Sequence, residues 1–149
     1  MLRYRENYER KLSMEFADFF CFRLGAISRK MSRHYNNKLA AYGITIVQSW
    51  VLFYLSSNNG SSLKEIALAV QLDSPVVSGL VDRLVKEGLV SREEDPTDRR
   101  SVKIFITPRG SEIVEEIASI VVEYNQRIKA TVADSSAFER GLAALEKDL

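Results

Sequence analysis

Between Arg92 and Arg100 the chain sets four acids and three arginines into nine residues, REEDPTDRR, and then alternates polar and apolar positions through SVKIFI. Guanidinium groups on a stiff ribbon suit phosphate and groove recognition, because they stay charged and offer several donors in a fixed plane. Asp98 stands beside Arg99 and Arg100 and can orient them, while Glu93, Glu94 and Asp95 keep the connector soluble. A second group of such residues precedes it in SPVVSGLVDRLVK. There Ser74, Val76, Ser78, Asp82, Arg83 and Lys86 fall outward if Val77, Leu80, Val81 and Leu84 face a core. Serines and a small apolar side chain suit base edges and a thymine methyl, and Arg83 and Lys86 suit phosphate.

These residues need elements to hold them, and the spacing predicts which. Phe16, Phe20, Leu24, Ile27, Met31, Tyr35 and Leu39 recur every three or four positions and draw one stripe on a long helix that Gly43 ends. Thr45 can cap a second helix, Ile46 to Leu55, whose apolar positions leave so few polar faces that burial nearly all round is expected. SSNNGSS reads as a polar loop, and Ser62 with Glu65 makes a capping box for a third helix, Leu63 to Val70. In LDSP, Ser74 is expected as N-cap and Pro75 at the first position of a fourth helix, running to Glu87 and stopping at Gly88. Strands follow at Leu89 to Arg92 and Val102 to Ile106. Thr107 and Pro108 then open a long helix with Ile113, Ile117, Ile120, Val121, Tyr124, Ile128 and Val132 on one side. Ser136 with Glu139 is expected to cap the last helix.

Two short helices joined by Gln71, Leu72 and Asp73, with a charged hairpin after the second, form a winged helix-turn-helix in a mainly α chain with a small β-hairpin wing (α+β). In that arrangement the second helix can lie in a major groove while the hairpin reaches the neighbouring minor groove. Gly79 departs from good helix chemistry, since glycine costs about 1 kcal/mol against alanine inside a helix. Either something approaches that backbone closely, or the position is a tolerated surface glycine.

Bulk composition narrows the classes. The chain has 149 residues, 46% of them apolar, enough for one domain with a real core. Its net charge of +1 argues neither for nor against a nucleic-acid partner, because a basic face can be balanced elsewhere. Cys21 is the only cysteine and His34 the only histidine, so neither an internal disulfide nor a zinc cluster can form, and no cofactor or metal is expected. A cysteine enzyme would lack any base beyond His34, and the chain is not expected to be an enzyme. The charged start MLRYRENYERKLSMEF and the shortness of the apolar runs predict a soluble, cytoplasmic chain with no membrane span.

LKEIALAVQLDSPVVSGLVDRLVKEGLV, the wing DPTDRRSVKIFITPRG and the flanking long helices resemble the MarR family of bacterial transcription regulators, named for multiple antibiotic resistance. The family's wing pattern falls on Asp98, Arg100, Ile106, Thr107 and Gly110, with isoleucine at 106 where leucine is usual. VVSG at 76 to 79 stands where many members read Thr-Val-Ser-Arg, so one polar and one basic contact are absent, which bears on base preference. The resemblance implies one domain over 1–149, with dimerisation helices at 13–42 and 108–149. A DNA-binding lobe would span 45–107, with its recognition helix at 74–87 and its wing at 89–106. It implies a homodimeric repressor on a pseudo-palindromic double-stranded operator, each wing placing Arg99 or Arg100 in a minor groove.

Such proteins often answer to small aromatic anions. Arg33 and His34, in a basic run without an acid, with Trp50 and Tyr54 on the second helix, could line a ligand pocket, although for each residue alone a solvated basic face or a core tryptophan is the commoner outcome. CFRLGAISR, Cys21 to Arg29, also resembles the opening helix of the family's organic-hydroperoxide-sensing branch, where the cysteine is a redox switch hydrogen-bonded by tyrosines. Tyr35 falls at one of those tyrosine positions, whereas Gly25 and Ile46 occupy the others. A winged-helix module that binds protein instead of DNA stays open as a further class.

Overall fold

The computed structural model describes residues 16–95 and 101–148. The chain divides into two units, one ending at Ile46 and the other beginning at Val47.

In the first unit a 3-10 turn, Phe16–Asp18, leads into helix α1, Phe20–Leu39, and a second turn, Ala40–Tyr42, closes it. The α-helix therefore starts later than the stripe predicts, and Phe16 lies outside it. Gly43, at φ 70°, ends the segment by donating its N–H to the Ala40 carbonyl. That left-handed geometry costs glycine nothing and other residues about 1 kcal/mol or more. Tyr35 and Leu39, near the C-terminal end of α1, are buried, but Phe20 is 80% exposed and Leu24 and Ile27 are open as well. The Asn36 side-chain oxygen accepts from the Ile46 N–H at 2.8 Å, serving one of the donors that a helix start leaves unpaired.

The second unit holds most of helix α2, Ile46–Ser57, then β1, Ser61–Ser62, α3, Leu63–Val70, and α4, Ser74–Lys86. After these come β2, Val90–Glu94, β3, Val102–Ile106, α5, Pro108–Thr131, and α6, Ser135–Asp148. Val51, Leu52 and Leu55 of α2 are fully buried, yet Trp50 is 43% exposed, so the helix keeps an open side where burial all round is expected from its composition. An apolar count cannot show which flank a helix leaves uncovered.

SSNNGSS is more than a loop. Ser61 and Ser62 pair antiparallel with Ile104 and Lys103, making a three-stranded sheet in the order β1-β3-β2. Gly60, at φ 78°, donates to the Ile104 carbonyl, and the Asn59 side chain accepts from the Ile106 N–H at 2.9 Å. A two-residue strand has no alternation to detect, so only its partner reveals it.

Ser62 and Glu65 do form the capping box of α3: the Ser62 N–H donates to Glu65 at 2.7 Å and the Glu65 N–H to the Ser62 hydroxyl at 3.3 Å. Gln71 adopts φ 54° and the Leu72 N–H returns to the Ala67 carbonyl, a left-handed helix end of the kind glycine usually makes. The N-cap of α4 is Asp73, not Ser74; Ser74 is already helical, and the Asp73 carbonyl accepts from the Val77 N–H at 3.0 Å. Pro75 sits in the first turn, where its missing N–H removes nothing the helix needs. Val77, Val81 and Leu84 of α4 are fully buried, as are Ile66 of α3 and Ile104 of β3.

At the far end of the wing Thr107 caps α5 by accepting from Gly110, and its hydroxyl donates to the Gly88 carbonyl at 2.8 Å. α6 starts one residue earlier than its predicted cap, with Asp134 accepting from the Ala137 N–H at 2.8 Å in place of Ser136. Glu139 pairs instead with Lys129. Of the α5 stripe only Ile117 is fully buried, and α6 buries none of its residues. Among the described residues no single helix is long and apolar enough to cross a membrane.

Candidate nucleic-acid interface

α4 is locked to the core through Val77, Val81 and Leu84, residues four and three apart that share one face. Every other face of this helix is then decided. Ser74, Val76, Arg83 and Lys86 are exposed and Ser78 is half-buried, so four of the five predicted α4 contacts lie open. Val76 is 49% exposed, a large value for a β-branched apolar residue beside a well-packed core. Gly79 is exposed, and a β-carbon built there would meet no group within 4 Å among the described residues.

The hairpin beside α4 runs in register from Val90 opposite Ile106 to Glu94 opposite Val102. β2 extends further toward the connector than the expected Leu89 to Arg92, because Glu93 and Glu94 still find ladder partners in Lys103 and Val102. The Asp95 N–H closes the ribbon on the Ser101 carbonyl at 2.9 Å. Asp98, Arg99 and Arg100 lie outside the described residues.

Arg92 is the residue that sequence reasoning passed over, counted there only as part of a charge cluster. Its guanidinium meets the Asp82 carboxylate of α4 at 2.8 Å and reaches toward the Ser78 carbonyl at 3.5 Å. A second strand-to-helix pair, Lys103 to Glu65 at 3.7 Å, ties β3 to α3. The two Ser62 hydrogen bonds, backbone first and hydroxyl next, and then the Lys103 charge hold the Glu65 carboxyl below its ordinary range. Acids on both helices are thus matched by wing cations, and Arg83 and Lys86 project from α4 on its exposed surface.

The residues proposed for a ligand or a redox switch are distributed differently. On α1 Arg33 is exposed, and His34 is half-buried with its ring edge-on to Tyr35 at 6.4 Å. On α2 Trp50 and Tyr54 stand one turn apart, the first open and the second half-buried. Cys21 is exposed and Tyr35 is buried. Along α1 they are separated by about 21 Å at the helical rise per residue, so within one chain that tyrosine does not reach the thiol.

Comparison with known proteins places this geometry. A family model described as MarR family matches residues 42–101. The HTH-type transcriptional regulator TtmR of Methylorubrum extorquens is 38% identical over 90 residues, 60% of this chain and 46% of that protein, so the chain spans less than half of that relative. The organic hydroperoxide resistance transcriptional regulator of Bacillus subtilis is 30% identical over 107 residues, covering 72% of this chain and 73% of the relative. Among solved structures, the MepR–DNA complex of S. aureus superposes with a TM-score of 0.83 at 27% identity, covering 88% of this chain and 98% of the other.

Proposed function

The chain belongs to the MarR family of winged helix-turn-helix transcription regulators, and from that premise we propose that it is a homodimeric repressor of a pseudo-palindromic DNA operator. One observation carries the reading: the core locks α4 by Val77, Val81 and Leu84 and leaves Ser74, Val76, Arg83 and Lys86 open on its other side. Seated in a major groove, Ser74 and Val76 at the start of the helix meet base edges, and Ser78 follows one turn on. Arg83 and Lys86 meet phosphate. Asp98 orients Arg99 and Arg100 toward the adjacent minor groove. A two-fold dimer carries two such helices, matching half-sites about one helical turn apart. Such a regulator works in the cytoplasm, where its DNA is.

Footprinting on the region upstream of its own gene, repeated across a salt series, tests this. Duplex binding is expected to weaken steeply, log K falling by about 0.9 per neutralised phosphate for each unit of log salt. A flat salt response would sink the DNA reading and favour a protein-binding winged helix.

Release follows from a ligand that binds best to a spacing of the two α4 helices unable to match the half-sites. A small aromatic anion fits that role, and the openness of Trp50 on α2 supports it. Footprints repeated with a panel of aromatic acids check it: the protection disappears with an effector and persists with inert analogues. A thiol trigger at Cys21 is the second reading, favoured by the exposure of that residue. It predicts that peroxide releases the wild-type chain and leaves Cys21→Ser bound; a wild-type chain that never releases under peroxide excludes it.

A further inference from the structure

We propose that Arg92 is a positioning residue: gripping Asp82 and the Ser78 carbonyl, it holds the β2–β3 ribbon at a set angle to α4 and so registers the minor-groove contact against the major-groove contact. The proposal rests on the DNA-binding reading above.

The argument starts from the pleat. Val90 and Arg92 are two residues apart on β2 and so point to one face of the sheet. Val90 is buried there, against the core that also takes Leu84 of α4. Two residues further on, β2 itself is exposed, and its own side chains no longer pack into the core. Arg92 stands at that departure. Ser78 and Asp82 lie on successive turns of α4, so a single guanidinium spans both. On the other side Arg92 is registered opposite the fully buried Ile104 of the central strand, so its own backbone is anchored.

Energetics favour a geometric role over a stabilising one. The side chains of Arg92 and Asp82 are 35% and 60% exposed, and pairs so open to water contribute little to folding. The Ser78 contact, at 3.5 Å, is at the outer limit of a hydrogen bond. What the pair does control is direction: β1 and the Lys103–Glu65 pair hold β3 on one side, and Arg92 ties the outer strand β2 to α4 on the other, against the twist open to a sheet edge. Asp82 also lies on the exposed side of α4, where an unpaired carboxylate would repel phosphate.

That last point makes the sign of the effect diagnostic. By charge alone, Asp82→Asn should tighten DNA binding, since it removes one negative group and frees one arginine. By positioning, the same change weakens it. The experiment uses the full chain on the duplex found by footprinting, with Asp82→Asn, Arg92→Gln and the exchanged pair Asp82→Arg with Arg92→Asp. Affinity is read by fluorescence anisotropy at fixed salt and folding by thermal melting. Minor-groove protection is read by hydroxyl-radical cleavage, and major-groove protection by guanine N7 methylation.

Each single variant is expected to lose about tenfold in affinity, as for other side-chain pairs in direct contact, with melting unchanged. Minor-groove protection is lost and major-groove protection kept, and the exchanged pair recovers both affinity and the minor-groove footprint. Asp82→Asn binding as tightly as wild type or tighter overturns the proposal, as does equal loss of protection in both grooves. Should the wild-type chain protect no duplex, the DNA reading falls and takes this inference with it; a wild-type footprint unchanged in both single variants overturns this inference alone.

Discussion

A β-carbon at position 79 would meet open space, whereas one at position 110 would run into the Leu89 carbonyl and the Ile106 side chain. Gly79→Ala is therefore expected to stabilise the chain by up to about 1 kcal/mol, through helix propensity, and Gly110→Ala to destabilise it by about 1 to 3 kcal/mol, through overpacking. Urea unfolding measures both. The first variant also separates the two readings of Gly79: if a duplex backbone approaches there, Gly79→Ala binds DNA less tightly while folding more stably. Arg100→Ala is expected to weaken duplex binding by about 1 to 3 kcal/mol at unchanged melting temperature, and unchanged affinity would refute the minor-groove role. At this scale the sequence marked the outward residues of α4 well, because period 3.6 and a run of apolar anchors leave little freedom. It did not separate Arg92 from its neighbours. A signal was there, since Arg92 shares a pleat face with Val90 and Asp82 stands outward on the preceding helix, but only packing brings the two together.

Elements were legible wherever a cap or a glycine punctuates them. The Ser62 and Glu65 box and the Thr107 cap are formed as their spacing predicts, and Gly43 and Gly88 end their segments at positive φ. The shifts to Asp73 and Asp134 follow from choosing between adjacent residues that are all good caps, a choice set by where the preceding turn delivers the chain. The capping box carries its own test. Glu65 titrates below the ordinary glutamate range in the folded chain, so its contribution to stability is complete above that range and is lost as pH falls through the lowered value. Thermal melting across that acidic window is expected to fall more steeply for wild type than for Glu65→Gln, which keeps an acceptor for the Ser62 N–H without the charge. Equal slopes would show that the box does not titrate with folding.

On the scale of the whole molecule, Phe20, Leu24 and Ile27 of α1 lie exposed in steps of four and three, and Phe138, Leu142 and Leu145 repeat that spacing on α6. Apolar stripes of this kind mark interaction surfaces, and under the proposed dimer a second copy covers them. Leu24→Glu and Leu142→Glu are each expected to shift sedimentation from dimer to monomer and to weaken operator binding by at least about tenfold, because one recognition helix loses its tethered partner. A dimer unaffected by both substitutions would place the interface elsewhere. The amino-acid sequence by itself determined the helices, the Ser62 and Thr107 caps, the turn between α3 and α4 and the outward chemistry of the latter, since each depends on residues within about one helical turn of one another. Tertiary structure alone decided that Ser61 and Ser62 are a strand, that Trp50 is open, and that Arg92 is joined to Asp82. Those outcomes depend on partners far along the chain, and such partners are brought into reach only when the core formed by Ile66, Val77, Val81, Leu84 and Ile104 closes.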